Sequence, residues 1–373
     1  MAWIEKKKKK DGRTAYLVRW REPGVPKVRS ESLPTFEAAR HKKSQVEVSI
    51  ATGLYVSADE RLVPLGRYLT TIFESNSRLR ASTRMVQGRI ISKHITSSRL
   101  AGIPVGKVDA GVMREFFADL EANGASSNTA LACYQILSTV LRTAHEEGLL
   151  PRYPLAHIPR PRPTKADARF LGPQEIEALA SEVPERYRVL VLAAAYSGLR
   201  IGELAALQAT DIDILRRTIT VRRSATRTPA GYVLGDDTKT AAGRRKVEIP
   251  AFLAQELGAY IGRYPPASDG RIFTAPRGGF ISSGILHEVW HSACARAGLE
   301  PAPRFHDLRH TAVALAIQQG AHPLEIKERM GHTSIQITMD RYGHLFPGMD
   351  RELASRLGDV RAEALKEGKV VQL

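Results

Sequence analysis

Cysteine is nearly absent: Cys133 and Cys294 are the only two in 373 residues. That is too few for a disulfide framework or a zinc cluster. Long apolar runs are missing as well. The longest nearly apolar stretch, "VLVLAAAYSGL" (189–199), is too short to cross a bilayer and reads as a buried helix. The opening "MAWIEKKKKK" has no apolar segment after its charges, so a secretory signal is not expected. There is no Walker A glycine loop, and Asp211/Asp213 and Asp236/Asp237 read as turn acids rather than a two-metal carboxylate site. These absences lead to the expectation of a soluble cytoplasmic protein without a bound metal or cofactor.

Acidic residues are in deficit too. The chain has 39 Asp+Glu against 55 Lys+Arg, a net charge of +16 and a pI near 10.0. Such an excess favours a polyanionic partner, because each neutralised phosphate releases counterions. Nucleic acid is the first choice, and an anionic membrane surface stays open at this point. With 43% hydrophobic residues, the chain can bury real cores in two or three domains.

The expected class is multidomain and mainly α with small β-sheets. Residues 1–58 open with ten Lys/Arg against three acids in the first 30 positions. Two strands around an Asp11-Gly12 turn, a third at "KVRSESL" and a helix ending at Gly53 make this a basic, β-rich domain. Its sheet suits a DNA groove, although a solvated lysine run on a hairpin gives the same pattern. Residues 59–155 show four stretches of helical periodicity, with Ser127 expected to cap the last and Gly148 to stop it. Residues 156–169, rich in Pro and Arg, read as an extended linker. Residues 170–348 form a mixed α+β domain with strands at "TITVRRS" and "KVEIP", and 349–373 read as an amphipathic helix and a short apolar tail. Lys7, Lys9, Arg19, Arg160, Arg162 and Arg244 are the expected DNA contacts outside the chemistry.

Four stretches of the third domain bear on chemistry. In "SGLRIGELAAL" (197–207), Arg200 stands at a helix start, an anion site; an arginine paired with Glu203 would look the same. In "TKTAAGRRKVEIP" (238–250), Lys239 precedes a turn into a strand, though a solvated lysine is the ordinary reading. In "RFHDLRHTAVALAIQQG" (304–320), His306, Arg309 and His310 share one helix face. Their His-x-x-x-His spacing resembles a zinc site, but Asp307 stands where Glu is needed, and Arg309 lies between the would-be ligands. In "MGHTSIQITMDRYGHLF" (330–346), Thr333 or Ser334 caps a helix ending near Gly343. Tyr342 falls in its last turn, where packing is the ordinary role. Together these residues supply a phosphate clamp, proton-transfer groups and an oxygen nucleophile.

In this order and spacing the four stretches resemble the tyrosine recombinases, or phage-type integrases. "GLRIGEL" carries Arg200, "TKT" Lys239, "HDLRH" His306 and Arg309, and "GHTSIQITMDRYGH" His332 and Tyr342, with Met330 in place of the leucine common before Gly-His. The resemblance implies a site-specific recombinase that cuts and rejoins DNA through a 3′-phosphotyrosyl link, integrating and excising a phage or mobile element. It implies Tyr342 as nucleophile, Arg200 and Arg309 as clamp, His332 as a further donor, Lys239 as leaving-group acid and His306 as acid/base partner. It further implies arm-type binding by residues 1–58, core-type binding by 59–155, a homotetramer on double-stranded attachment sites in a bacterial cytoplasm, and host bending and excision factors as accessories. A type IB topoisomerase, a chromosome-dimer-resolving recombinase and a non-catalytic architectural protein are the competing readings.

Overall fold

The computed structural model describes residues 2–8, 14–23, 27–53, 55–164, 169–235, 243–281, 283–345 and 349–366. Two compact units result, Met1–Lys165 and Ala166–Leu373.

In the first unit, alternating side chains make strands β1 (Ala2–Lys8), β2 (Thr14–Arg21) and β3 (Val28–Leu33), an antiparallel sheet in that order. The register sets Ala2 opposite Trp20, Ile4 opposite Val18 and Tyr16 opposite Leu33. These residues pack on Ala39 and Val46 of helix α1 (Phe36–Ala51). Thr35 caps that helix through the Ala38 N–H at 3.2 Å, and the chain leaves it at Gly53, φ +71°. Because strand side chains alternate, Lys7, Arg19 and Arg21 fall on the sheet face away from α1. Lys9 and the Asp11-Gly12 turn lie outside the described residues.

Five helices follow in this unit: α2 (Ala58–Arg61), α3 (Leu65–Ser75), α4 (Ala81–Ile90), α5 (Ala110–Ala122) and α6 (Ser127–Glu146). A π-helical turn at Ile91–Ile95 continues α4. Their apolar stripes close over Leu65, Leu69, Ile95, Met113, Leu137 and Leu141, all fully buried. The cap of α6 is Ser126, one residue before the expected Ser127. Three cap-forming residues stand in a row there, and only Ser126 has its hydroxyl on the Thr129 N–H, at 3.2 Å. Gly148 follows the end of α6 at φ +77°, and Arg160 and Arg162 lie exposed in the irregular segment beyond.

The second unit starts with α7 (Pro173–Glu182), α8 (Glu185–Ser197) and the short α9 (Ile201–Ala205). Strands β4 (Ile212–Asp213), β5 (Thr218–Val221) and β8 (Arg245–Glu248) form one antiparallel sheet, and β6 (Ser224–Thr228) pairs with β7 (Gly231–Gly235) in a hairpin. Next come α10 (Ala251–Arg263), α11 (Ser283–Arg296), α12 (Asp307–Gln318), α13 (Pro323–Met330), α14 (Ile335–Tyr342) and α15 (Met349–Lys366). As its sequence suggests, α8 is apolar nearly all round and runs through the core against α7, α10 and α12. The architecture is mainly helical with small antiparallel sheets. No described helix is long and apolar enough to cross a membrane.

Candidate active site

Helix α8 ends on Gly198, whose left-handed φ of +69° turns the chain sharply into α9. A β-carbon there would come within 2.5 Å of Met330 Cε and 3.2 Å of Ala312 Cβ, so a side chain is excluded on two counts. The turn presents Arg200, the residue before α9. Its backbone N–H donates to Glu203 Oε2 at 2.9 Å and its Nη1 to Glu203 Oε1 at 2.8 Å. The Arg200–Glu203 pairing and the anion-site reading are therefore compatible: the guanidinium side chain is still 41% exposed.

A second arginine completes this arrangement, and sequence reasoning missed it. Arg245 of β8 donates through Nη1 and Nη2 to the two Glu203 oxygens at 3.1 and 3.0 Å. Its Nε donates to the Arg329 carbonyl at 2.7 Å and Nη1 also reaches the Gly243 carbonyl at 3.2 Å. Both Arg245 and Glu203 side chains are buried. Burial alone would raise the Glu203 carboxyl, but Arg245 and then Arg200 hold it below its ordinary value. Arg245 thus ties the start of α9, the residues preceding β8 and the end of α13 into one unit.

On α12, Arg309 is 5% exposed and donates to two main-chain carbonyls, Gly198 and Met330. Burial first, and then the charge of Arg200, pull its pKa down to about 9, so it keeps its charge at neutral pH. His306 precedes the helix and is exposed. His310, one turn on, is 3% exposed. The two imidazoles meet edge to face with centroids 5.0 Å apart. Asp307 is buried and accepts from the Arg304 main chain at 2.8 Å and its guanidinium at 2.7 Å, which anchors the start of α12.

Gly331 ends α13 in the left-handed region, φ +61°, and delivers His332. The His332 Nδ1 lies 2.9 Å from Thr338 Oγ1. Burial, then Arg309 and Arg200, push its pKa down to about 4. Ser334, one of the two expected caps, is the cap of α14. Tyr342 closes that helix at 2% exposure, packed with Ala312, Val313, Ile317, Ile326 and Met330. Its hydroxyl lies 2.5 Å from His310 Nδ1, and burial raises its pKa. The expected partner, His306, makes no hydrogen bond to it in this arrangement.

The structure brings together Arg200, Arg309 and His332: the charges of both arginines act on His332, and Arg200 Nη2 reaches the Gly331 carbonyl at 3.5 Å. Tyr342 joins them through the α12 histidines. Lys239 lies outside the described residues. Arg244 is exposed beside β8 and lines an open depression of about 570 Å³ with Arg222, Arg223 and Lys246. Among the described residues, no three His, Cys, Asp or Glu side chains converge as metal ligands.

Comparison with known proteins bears on the same region. Residues 169–348 match the phage integrase family. The ICEBs1 integrase of Bacillus subtilis (strain 168) is 32% identical over 74% of this chain and 77% of its own length. Two solved structures share the fold. The Tn1549 transposon integrase in complex with a circular intermediate DNA superposes with a TM-score of 0.69 at 20% identity, covering 79% of this chain and 99% of that one. A lambda integrase tetramer bound to a Holliday junction does so with a TM-score of 0.57 at 17% identity, covering 88% and 95%. The chain belongs to the phage integrase family and is a tyrosine site-specific recombinase.

Proposed function

We propose that the protein integrates and excises a phage or mobile element by cutting and resealing double-stranded DNA through a 3′-phosphotyrosyl intermediate on Tyr342. The observation that carries this reading is the placement of two guanidinium groups, one buried and one reaching solvent, beside His332, with the charge of Arg309 also acting on Tyr342. Preorganised cations of this kind stabilise the extra negative charge of a phosphoryl transition state.

In this mechanism Arg200 and Arg309 hold the non-bridging oxygens of the scissile phosphate and His332 donates a further hydrogen bond. The Tyr342 oxygen attacks phosphorus, the bond to the 5′-oxygen breaks, and Lys239 protonates the departing oxygen. The tyrosine proton leaves through the histidines of α12, where the exposed His306 is the acid/base group that exchanges with solvent. The phosphotyrosyl ester conserves the energy of the broken bond, so a second 5′-hydroxyl reseals it without ATP.

In this reading strand exchange takes four protomers on two duplexes, in keeping with the lambda integrase tetramer bound to a Holliday junction. The open sheet face with Lys7 and Arg19 is the arm-type contact, the helices of residues 59–155 take the core site, and Arg160, Arg162 and Arg244 bind backbone phosphates. Leu357, Val360 and Leu365 of α15 are 61%, 64% and 63% exposed at helical spacing, a stripe suited to a neighbouring protomer. The test is a nicked duplex carrying the core site. A denaturation-resistant protein–DNA adduct is expected in EDTA, and Tyr342→Phe should bind without forming it. An adduct with the Phe variant would refute the nucleophile, and a Mg²⁺ requirement would refute the metal-free mechanism.

A further inference from the structure

The histidine that touches the proposed nucleophile is not His306, the acid/base partner that the family resemblance implies, but His310. Its Nδ1 lies 2.5 Å from Tyr342 Oη, and among the described residues no other hydrogen bond to that hydroxyl is present. We infer that His310 is the catalytic proton acceptor for Tyr342: its Nδ1 takes the phenolic proton as the oxygen attacks phosphorus. This rests on the reading of Tyr342 as nucleophile.

Three observations carry it. First, a nucleophile and its base must lie within hydrogen-bond reach, and His310 satisfies that while His306 does not. Second, with the histidine proton on Nε2 the Nδ1 is bare and the phenol donates to it, which is the tautomer that proton transfer from Tyr342 requires. Third, the surroundings keep the pair neutral at rest. Burial, then His306 and Arg341, bring His310 down to about 4, with Arg304 acting in the same direction and Asp307 against it. Burial likewise raises Tyr342. These are the charged and titratable groups acting on the imidazole from α12, the residues before it and α14. An anionic phosphodiester on Arg200 and Arg309 offsets the positive surroundings, so the imidazolium becomes affordable when substrate is present.

The step balances. The tyrosine O–H bond breaks and its proton goes to Nδ1. The oxygen–phosphorus bond forms, the phosphorus–5′-oxygen bond breaks, and the 5′-oxygen takes its proton from Lys239. Resealing reverses each transfer, with His310 returning the proton to the tyrosine oxygen.

The experiment is single-turnover cleavage of the nicked core-site duplex, with an ordinary phosphodiester and with a 5′-bridging phosphorothiolate whose sulfur leaves without an acid. His310→Gln keeps a polar partner for the hydroxyl but accepts no proton. It should cleave about 10²–10⁴-fold more slowly, with DNA binding and melting temperature near wild type and with no relief from the thiolate. Lys239→Ala should be relieved by the thiolate, which shows that the probe works. Cleavage by His310→Gln near the wild-type rate, or relief by sulfur, would overturn the inference. Should His310→Gln unfold, the His306→Gln enzyme decides instead: its thiolate cleavage should keep the wild-type acid titration, and loss of that titration would assign the base to His306. An absent adduct with wild-type protein on both substrates would refute the recombinase chemistry itself.

Discussion

The N-terminal sheet and the C-terminal cluster are both rich in cations, and they handle them in opposite ways. On the sheet, Lys7 is exposed and Arg19 shares a half-exposed ion pair with Glu5 at 3.3 Å. Around α9, Arg245 and Arg309 are buried and each ends on fixed oxygens, the Glu203 carboxylate or main-chain carbonyls. An exposed cation contributes attraction that salt screens. A buried one is expensive to desolvate and persists only with an exact set of partners. Net charge therefore favours a polyanionic partner, while burial of charge marks the cluster proposed for phosphate chemistry.

The largest expected break in this contrast is Arg245→Met, which takes the buried cation from the Glu203 carboxylate and leaves it only the partly exposed Arg200. It should cost about 3–5 kcal/mol, read as a lowered urea midpoint, and adding Glu203→Leu should recover part of the loss. Next, Arg309→Lys removes the forked donor and should slow cleavage about 10²–10³-fold while gel-shift affinity changes little. A pH dependence sharpens the comparison further. His310 titrates near 4 in the fold and about 6.5 when unfolded, so the unfolded chain binds more protons between those values. Its contribution is complete above pH 6.5 and is lost as pH falls toward 4, by up to roughly 3 kcal/mol. Denaturation followed across that window should show the decline, and His310→Gln should remove its share and leave that of His332, which is likewise held near 4. The smallest effect belongs to the sheet. Lys7→Ala and Arg19→Ala should each reduce the salt slope of DNA binding by about 0.9 and leave the cleavage rate at saturation unchanged.

Much of the C-terminal unit was legible because its signals are local. Thr333 or Ser334 was expected to cap α14 and Ser334 does so, and the spacing of His306, Arg309 and His310 predicts a shared helix face. The pairing of Arg200 with Glu203 was visible as a three-residue spacing. Arg245 was not, since 42 residues separate it from Glu203 and Arg244 and Lys246 flank it as chemical equivalents. Only the strand's alternation turns Arg245 inward. The hairpin of β6 and β7 was also missed, because its polar alternation is weak. Its segment alone made Tyr342 packing at a helix end and the family resemblance made it the nucleophile; the structure buries it to 2% exposure. Choosing between His306 and His310 requires knowing where α14 docks, which no spacing along α12 contains.

The central claim is that Tyr342 becomes covalently joined to DNA, and the most direct measurement is mass spectrometry of the adduct formed in EDTA. After digestion with nuclease and protease, the account predicts a 3′-linked nucleotide on the peptide containing Tyr342. A nucleotide on any other residue, or a 5′ linkage, would contradict it.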